Sequence, residues 1–283
     1  MSSPFIGSAA IASGLLTRGQ LRWNHTAIHP DVYIPNGSER TLDVRTRAAA
    51  LWVADGIIAG RAAAALHGAS WVAAATPIEL IGRARRRQPG VVVREERIGS
   101  GEFMLVDDVV VTTPERTALD LARHLARGEA VAHLDALAAA TGFESADVLA
   151  LGDHYPGARG IQRARSVLPL TDAGAQSPRE SWLRLVLIDA GYPRPTTQIP
   201  VSDGYSTAFI DLGWDEPKIG LEYEGAHHQS DRSQHVRDIG RYDMLEAMGW
   251  LIIRVVKEHS RAYTLQRVHD AFTRRRLSLA RPA

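Results

Sequence analysis

Glu222 and Glu224 stand one residue apart in the stretch KIGLEYEGAHH, residues 218 to 228. Side chains alternate along a strand. Ile219, Leu221 and Tyr223 then share one face, and Lys218, Gly220, Glu222 and Glu224 share the other. At ~3.3 Å of rise per residue the two carboxylates lie about 7 Å apart. The preceding run STAFIDLGW reads as another strand, with Asp211 on the face opposite Ile210 and Leu212. A turn over 214 to 217 would pair the two strands and bring Asp211 toward Glu222. Like charges so gathered repel, more strongly when buried. A hard divalent cation resolves that conflict, since Mg²⁺ takes a few carboxylates together with waters and phosphate oxygens. Such an ion lowers the pKa of a bound water and polarises a phosphate, which is what phosphodiester hydrolysis requires. The same spacing also fits three solvated carboxylates on an exposed sheet face.

The elements that must position these residues are legible on both sides. Ser177-Pro178-Arg179-Glu180 opens a helix that Gly191 and Pro193 end, and its Ser-x-x-Glu spacing is that of a capping box. TTQIPV, STAFIDLGW and KIGLEYEG follow as strands. A helix over about 231 to 248 places Val236, Ile239, Leu245 and Met248 on one side and stops at Gly249. WLIIRVV is nearly all apolar, as expected of a strand at a sheet centre. A basic helix closes the order α-β-β-β-α-β-α. Arg237 and Arg241 are four apart and share a helical face, placed either to grip a phosphate or to pair with Asp238 and Glu246.

Upstream, LPLTDAGAQSPRE reads as a linker, so the last region is set at 176–283. Residues 46–172 are alanine-rich and mostly helical, with strand-like runs PIELIG, GVVVREERI and DDVVVTT. Thr113-Pro114 is a strong helix start. Residues 1–45 hold a short helix and a small hairpin closed at Pro35-Asn36-Gly37, either a reduced winged-helix-like unit or a plain α/β cap. The fold class expected is α/β. In the loop GRARRRQPG, Arg83, Arg85, Arg86 and Arg87 form a basic cluster that suits phosphates or simply faces solvent.

Whole-chain quantities narrow the function classes. The formal net charge is +1, so nucleic-acid binding has to come from local patches. With no cysteine, disulfides and thiolate zinc sites are excluded, and a cytoplasmic location is the default. PFIGSAAIASGLL reads as a first helix and not a signal peptide, and no apolar run reaches membrane-spanning length.

Taken in order, Glu180, Ile210-Asp211 and Leu221-Glu222-Tyr223-Glu224-Gly225-Ala226-His227-His228 resemble the PD-(D/E)XK, restriction-endonuclease-like nucleases. The closer likeness is to the branch near the very-short-patch repair endonucleases. Arg237-Asp238, Arg241, Leu245, Gly249-Trp250 and Ile253-Arg254-Val255 extend it, over roughly 177 to 258. The resemblance implies Mg²⁺ or Mn²⁺ held by Asp211 and Glu222, with Glu180 completing the shell. It implies catalytic roles for these three and for Glu224, which stands where the broad pattern has lysine. His228 would position or deprotonate the attacking water. Lys218, about 13 Å from Glu222 along the strand, is a poor substitute for that lysine. Arg237, Arg241, Arg85, Arg86 and Arg87 would contact DNA.

The front half is similar to AbiEi-type antitoxins joined to such nuclease-like domains. Gly19-Gln20-Leu21-Arg22, His29-Pro30-Asp31-Val32-Tyr33, Arg61 to Gly68 and Thr112 to Ala122 carry that likeness. It implies DNA and a cognate toxin protein as partners. Three functions follow: a metal-dependent DNA endonuclease, a DNA-binding antitoxin or repressor whose nuclease-like domain is inactive, or a protein-interaction scaffold without DNA.

Overall fold

Thr17, Thr41, Thr113, Ser177 and Ser260 each accept a backbone N–H at the start of a helix, and these caps punctuate much of the chain. The structure is a computed structural model that describes residues 3–84, 86–225 and 232–275, the side chains of 232–237 excepted. It divides into two compact units, Met1–Thr171 and Asp172–Ala283.

The first unit begins with β1 (Phe5–Ile6), α1 (Gly7–Ala12), α2 (Arg18–Asn24), β2 (His25–His29) and β3 (Val32–Pro35). The strands form a sheet in the order β1-β3-β2. A capping box fixes α2: Gln20 N donates to Thr17 Oγ1 at 3.1 Å, and Thr17 N donates to Gln20 Oε1 at 2.8 Å. Then come α3 (Leu42–Trp52), β4 (Ile57–Ala59), α4 (Gly60–Leu66), β5 (Ile78–Ile81), β6 (Val91–Arg94), β7 (Phe103–Val106) and β8 (Val109–Thr112). These five strands order as β6-β5-β4-β8-β7, with β4 parallel to β8 and antiparallel to β5. Ile58, Ile78, Leu80 and Val111 pack against Ala49, Ala62 and Ala63, whose small side chains admit α3 and α4 close to the sheet. The helices α5 (Pro114–His124), α6 (Arg127–Thr141), α7 (Ser145–Asp153) and α8 (Ile161–Val167) complete the unit.

The three strand-like runs of this region are β5, β6 and β8. The structure adds β4 and β7. β4 has three residues, too few for an alternation to show. β7 carries Phe103, Met104 and Leu105 exposed in succession at the sheet edge, so it has no buried face to mark it.

The second unit follows the expected order: α9 (Pro178–Asp189), β9 (Thr196–Ser202), β10 (Thr207–Trp214), β11 (Ile219–Glu224), α10 (Arg232–Ala247), β12 (Leu251–Val256) and α11 (Arg261–Arg274). Its sheet orders as β12-β11-β10-β9, with β12 parallel to β11 and the other neighbours antiparallel. Two expectations are corrected. β12 lies at the sheet edge, not its centre; its apolar residues are explained by α10 and α11, which both pack on it. In α10, Leu245 is fully buried but Ile239 is exposed, as is Met248 just past its end, so the apolar side is no continuous buried stripe. Leu183 and Leu187 of α9 meet Leu212, Leu221, Ile253 and Phe272 in the main core.

Candidate functional site

Strand register sets the acidic residues of the second unit. Leu212 pairs with Leu221 across β10 and β11, so one further step places Asp211 against Glu222. The Tyr223 amide donates to Asp211 Oδ2 at 3.0 Å, which fixes that carboxylate beside β11. Glu180 arrives from the first turn of α9. Its Oε2 accepts from Gln176 N at 2.8 Å and its Oε1 from the Ser177 hydroxyl at 2.8 Å, so the capping contacts are made by the same carboxylate proposed for the metal.

Burial raises the Glu180 pKa above the ordinary carboxylate range. Asp211 is pushed up to about 6, first by burial and then by the charge of Glu180, with Glu222 adding to it. The strand pairing and this coupling bring Glu180, Asp211 and Glu222 into one electrostatic neighbourhood.

Glu222 is buried and already partnered. Arg241 of α10 donates from Nη1 to Oε2 at 2.9 Å and from Nη2 to Oε1. The Tyr242 hydroxyl donates to Oε2 at 2.6 Å. Arg241 Nη2 also reaches the Phe209 carbonyl at 2.7 Å. Arg241 thus pairs with Glu222, a third outcome beside the two its helical phase suggested. Burial works against the Arg241 charge, yet the bonds to Glu222 outweigh it and raise the pKa. Glu224 accepts from Arg254 of β12 and, at 3.3 Å, from Tyr242. The Arg254 guanidinium stacks over the Tyr242 ring at 4.9 Å. Tyr242 was not singled out in the sequence, and Arg254 only within the nuclease resemblance, because both meet Glu224 from elements distant in the chain.

An all-oxygen set of Glu180, Asp211 and Glu222 suits a hard cation in its chemistry. Oxygens on one Mg²⁺ sit ~2.0–2.1 Å from the ion, hence no more than about 4.2 Å apart. Among the described residues, the one group of three or more His, Asp or Glu whose ligand atoms all lie within 4.8 Å of one another is Glu96, Asp120 and His124, in the other unit. As arranged, then, the acidic trio does not close on a single ion, and Arg241 holds both oxygens of Glu222. His228 and Arg85 lie outside the described residues, as does the Arg237 side chain. Arg86 and Arg87 are exposed in the loop between β5 and β6, where Arg83 lies 3.6 Å from Glu95.

The Glu96 group is itself filled by arginines. Arg116, 1% exposed, bonds Glu102 at 2.5 Å and Asp120 at 3.1 Å, and lies 3.5 Å from Glu96. Arg123 bonds Glu96 at 2.8 Å and Asp120 at 3.1 Å. Tyr155 donates to Glu102 at 2.5 Å and lies under the Arg116 guanidinium. Burial opposes the Glu96 charge, but bonds from His124 and Arg123 hold its carboxyl down at about 2. A cation placed here would meet two buried guanidiniums, so the group reads as an ion-pair lattice that ties α5 to the segments before β7. His67 is likewise structural, with Nε2 2.7 Å from the Thr112 carbonyl oxygen.

A profile of the AbiEi antitoxin C-terminal domain family matches residues 5–170. This chain belongs to that family. The match runs through both segments separated above at residue 45, and Arg116, Asp120 and Arg123 all fall within it. Two Mycobacterium tuberculosis proteins, "Uncharacterized protein MT2308" of strain CDC 1551 and "Uncharacterized protein Rv2248" of strain H37Rv, are each 32% identical to the chain over 181 residues. The alignments cover 61% of this chain and 66% of each relative, just under two thirds of their length. No helix among the described residues is long and apolar enough to cross a membrane.

Proposed function

We propose that the protein is a cytoplasmic antitoxin of a toxin–antitoxin pair that binds DNA as a repressor and engages a cognate toxin protein. The family match over residues 5–170 carries this reading. Two features of the structure support it. The helix α2 has Leu21 as its one buried residue and presents Arg18, Arg22 and Trp23 to solvent, with Arg22 packed over the Trp23 ring. A short exposed basic helix before a two-stranded wing is the geometry by which a winged helix enters a major groove. In the second unit, Glu222 and Glu224 are paired with Arg241 and Arg254, which favours a domain that does not hydrolyse DNA.

A metal-dependent endonuclease is the second reading, and one observation favours it. Asp211 is held at about 6 by burial and by its acidic neighbours, a conflict that a divalent cation bound by Asp211, Glu222 and Glu180 would relieve. Arg241 would have to leave Glu222 first and would then be free to face a DNA phosphate.

Gel-shift and plasmid-nicking assays on the purified chain separate the two. With Mg²⁺ or Mn²⁺ present, the antitoxin reading expects a DNA shift that Arg22→Ala and Trp23→Ala weaken, and no nicking. Nicking that disappears in Asp211→Ala/Glu222→Ala would instead establish the nuclease.

A further inference from the structure

A cavity of about 360 Å³ opens beside the ion-pair lattice of the first unit. Its lining sets four arginines, Arg94, Arg123, Arg159 and Arg163, against one carboxylate, Glu96. Two of the four are spoken for: Arg94 bonds Glu79 at 2.8 Å, and Arg123, 4% exposed, bonds Glu96 and Asp120. Arg163 Nη1 donates to the carbonyls of Arg123 and Leu125 at 3.3 and 3.2 Å. Among the described residues neither Arg159 nor Arg163 has an acidic partner.

The backbone is shaped to hold this arrangement. Gly160 sits at φ +82°, and a Cβ there would run into the Arg123 carbonyl oxygen. The turn therefore lies directly on the end of α5, and Arg123 Nε donates to the Arg159 carbonyl at 3.0 Å. Arg159 and Arg163 are thereby brought to the rim above a buried guanidinium.

We propose that this cavity binds the terminal phosphate of a small phosphorylated molecule, with Arg159 and Arg163 as its principal contacts. Planar guanidinium forks match phosphate oxygens in pairs. The volume is at the lower end of the ~300–1,000 Å³ typical of small-ligand clefts. Concavity decides against a duplex backbone. A phosphodiester is flanked by sugars and lies along a surface, whereas a terminal phosphate projects and enters a pocket.

Isothermal titration of the full chain in phosphate-free buffer, with inorganic phosphate and with glycerol 3-phosphate, tests this. Saturable binding of both is expected, weakened at least tenfold in Arg159→Gln and partly restored in Arg159→Lys. Arg159 is exposed, and its carbonyl bond survives the substitution, so circular dichroism should match the parent chain. Absence of saturable heat, or affinity unchanged in Arg159→Gln, would overturn the proposal. So would a duplex-DNA affinity that falls in that variant while neither phosphate compound binds.

Discussion

Arg116 shows what a single buried charge can hold together. Removing it strands Glu102 and Asp120, both buried, without their main counter-charge. Breaking a buried ion pair from one side costs about 3–5 kcal/mol. Arg116→Met should therefore lower the unfolding free energy of the first unit by that order, read by urea denaturation. Asp211 makes the opposite case. Its folded pKa is raised from 3.8 to about 6, so between these values the folded state binds the proton that the unfolded state has released. Stability from this group is greatest below pH 4, falls as the pH rises through 6, and is then flat. At ~1.4 kcal/mol per unit the full loss is about 3 kcal/mol. Asp211→Asn, which keeps an acceptor for the Tyr223 amide, should stabilise the second unit at pH 7 by up to about 2 kcal/mol, and the gain should vanish near pH 4. Tryptophan fluorescence in urea at the two pH values measures both. A mutant no more stable than the parent at pH 7 would mean that Asp211 is not strained there.

At the scale of elements, Gly160 fixes how the segment before α8 meets the end of α5. A left-handed residue with a Cβ costs of order 1–2 kcal/mol, before the clash with the Arg123 carbonyl is added. Gly160→Ala should lower the melting temperature of the first unit by several degrees in calorimetry. Elements with a local signature were legible in the residues themselves. Thr113-Pro114 and Ser177-Pro178 announced α5 and α9, and the alternation around Asp211 and Glu222 correctly placed them on adjacent strands. What local pattern does not carry is the partner. Arg241 meets Glu222 across a connection of 19 residues, and the lattice around Arg116 draws on four separate segments. β7 was hidden for a related reason: with Phe103, Met104 and Leu105 all exposed, nothing distinguishes an inner from an outer face.

Across the whole molecule, each unit has its own core, centred on Ile58, Leu80 and Val111 in one and on Leu183, Leu221 and Phe272 in the other. Expressed separately, residues 3–171 and 172–283 should each melt cooperatively; a fragment that stays unfolded by circular dichroism would show that it needs the other. The larger sheet of the first unit and the sheet of the second also differ in when their strands come to hand. In the second, β9, β10 and β11 are consecutive neighbours. In the first, Ile58 of β4 finds its parallel partner in Val111 of β8. A chain emerging from the ribosome therefore exposes one flank of β4 until β8 has left the exit tunnel. Any halt in translation before that point leaves an open strand edge, ready to pair with another nascent chain.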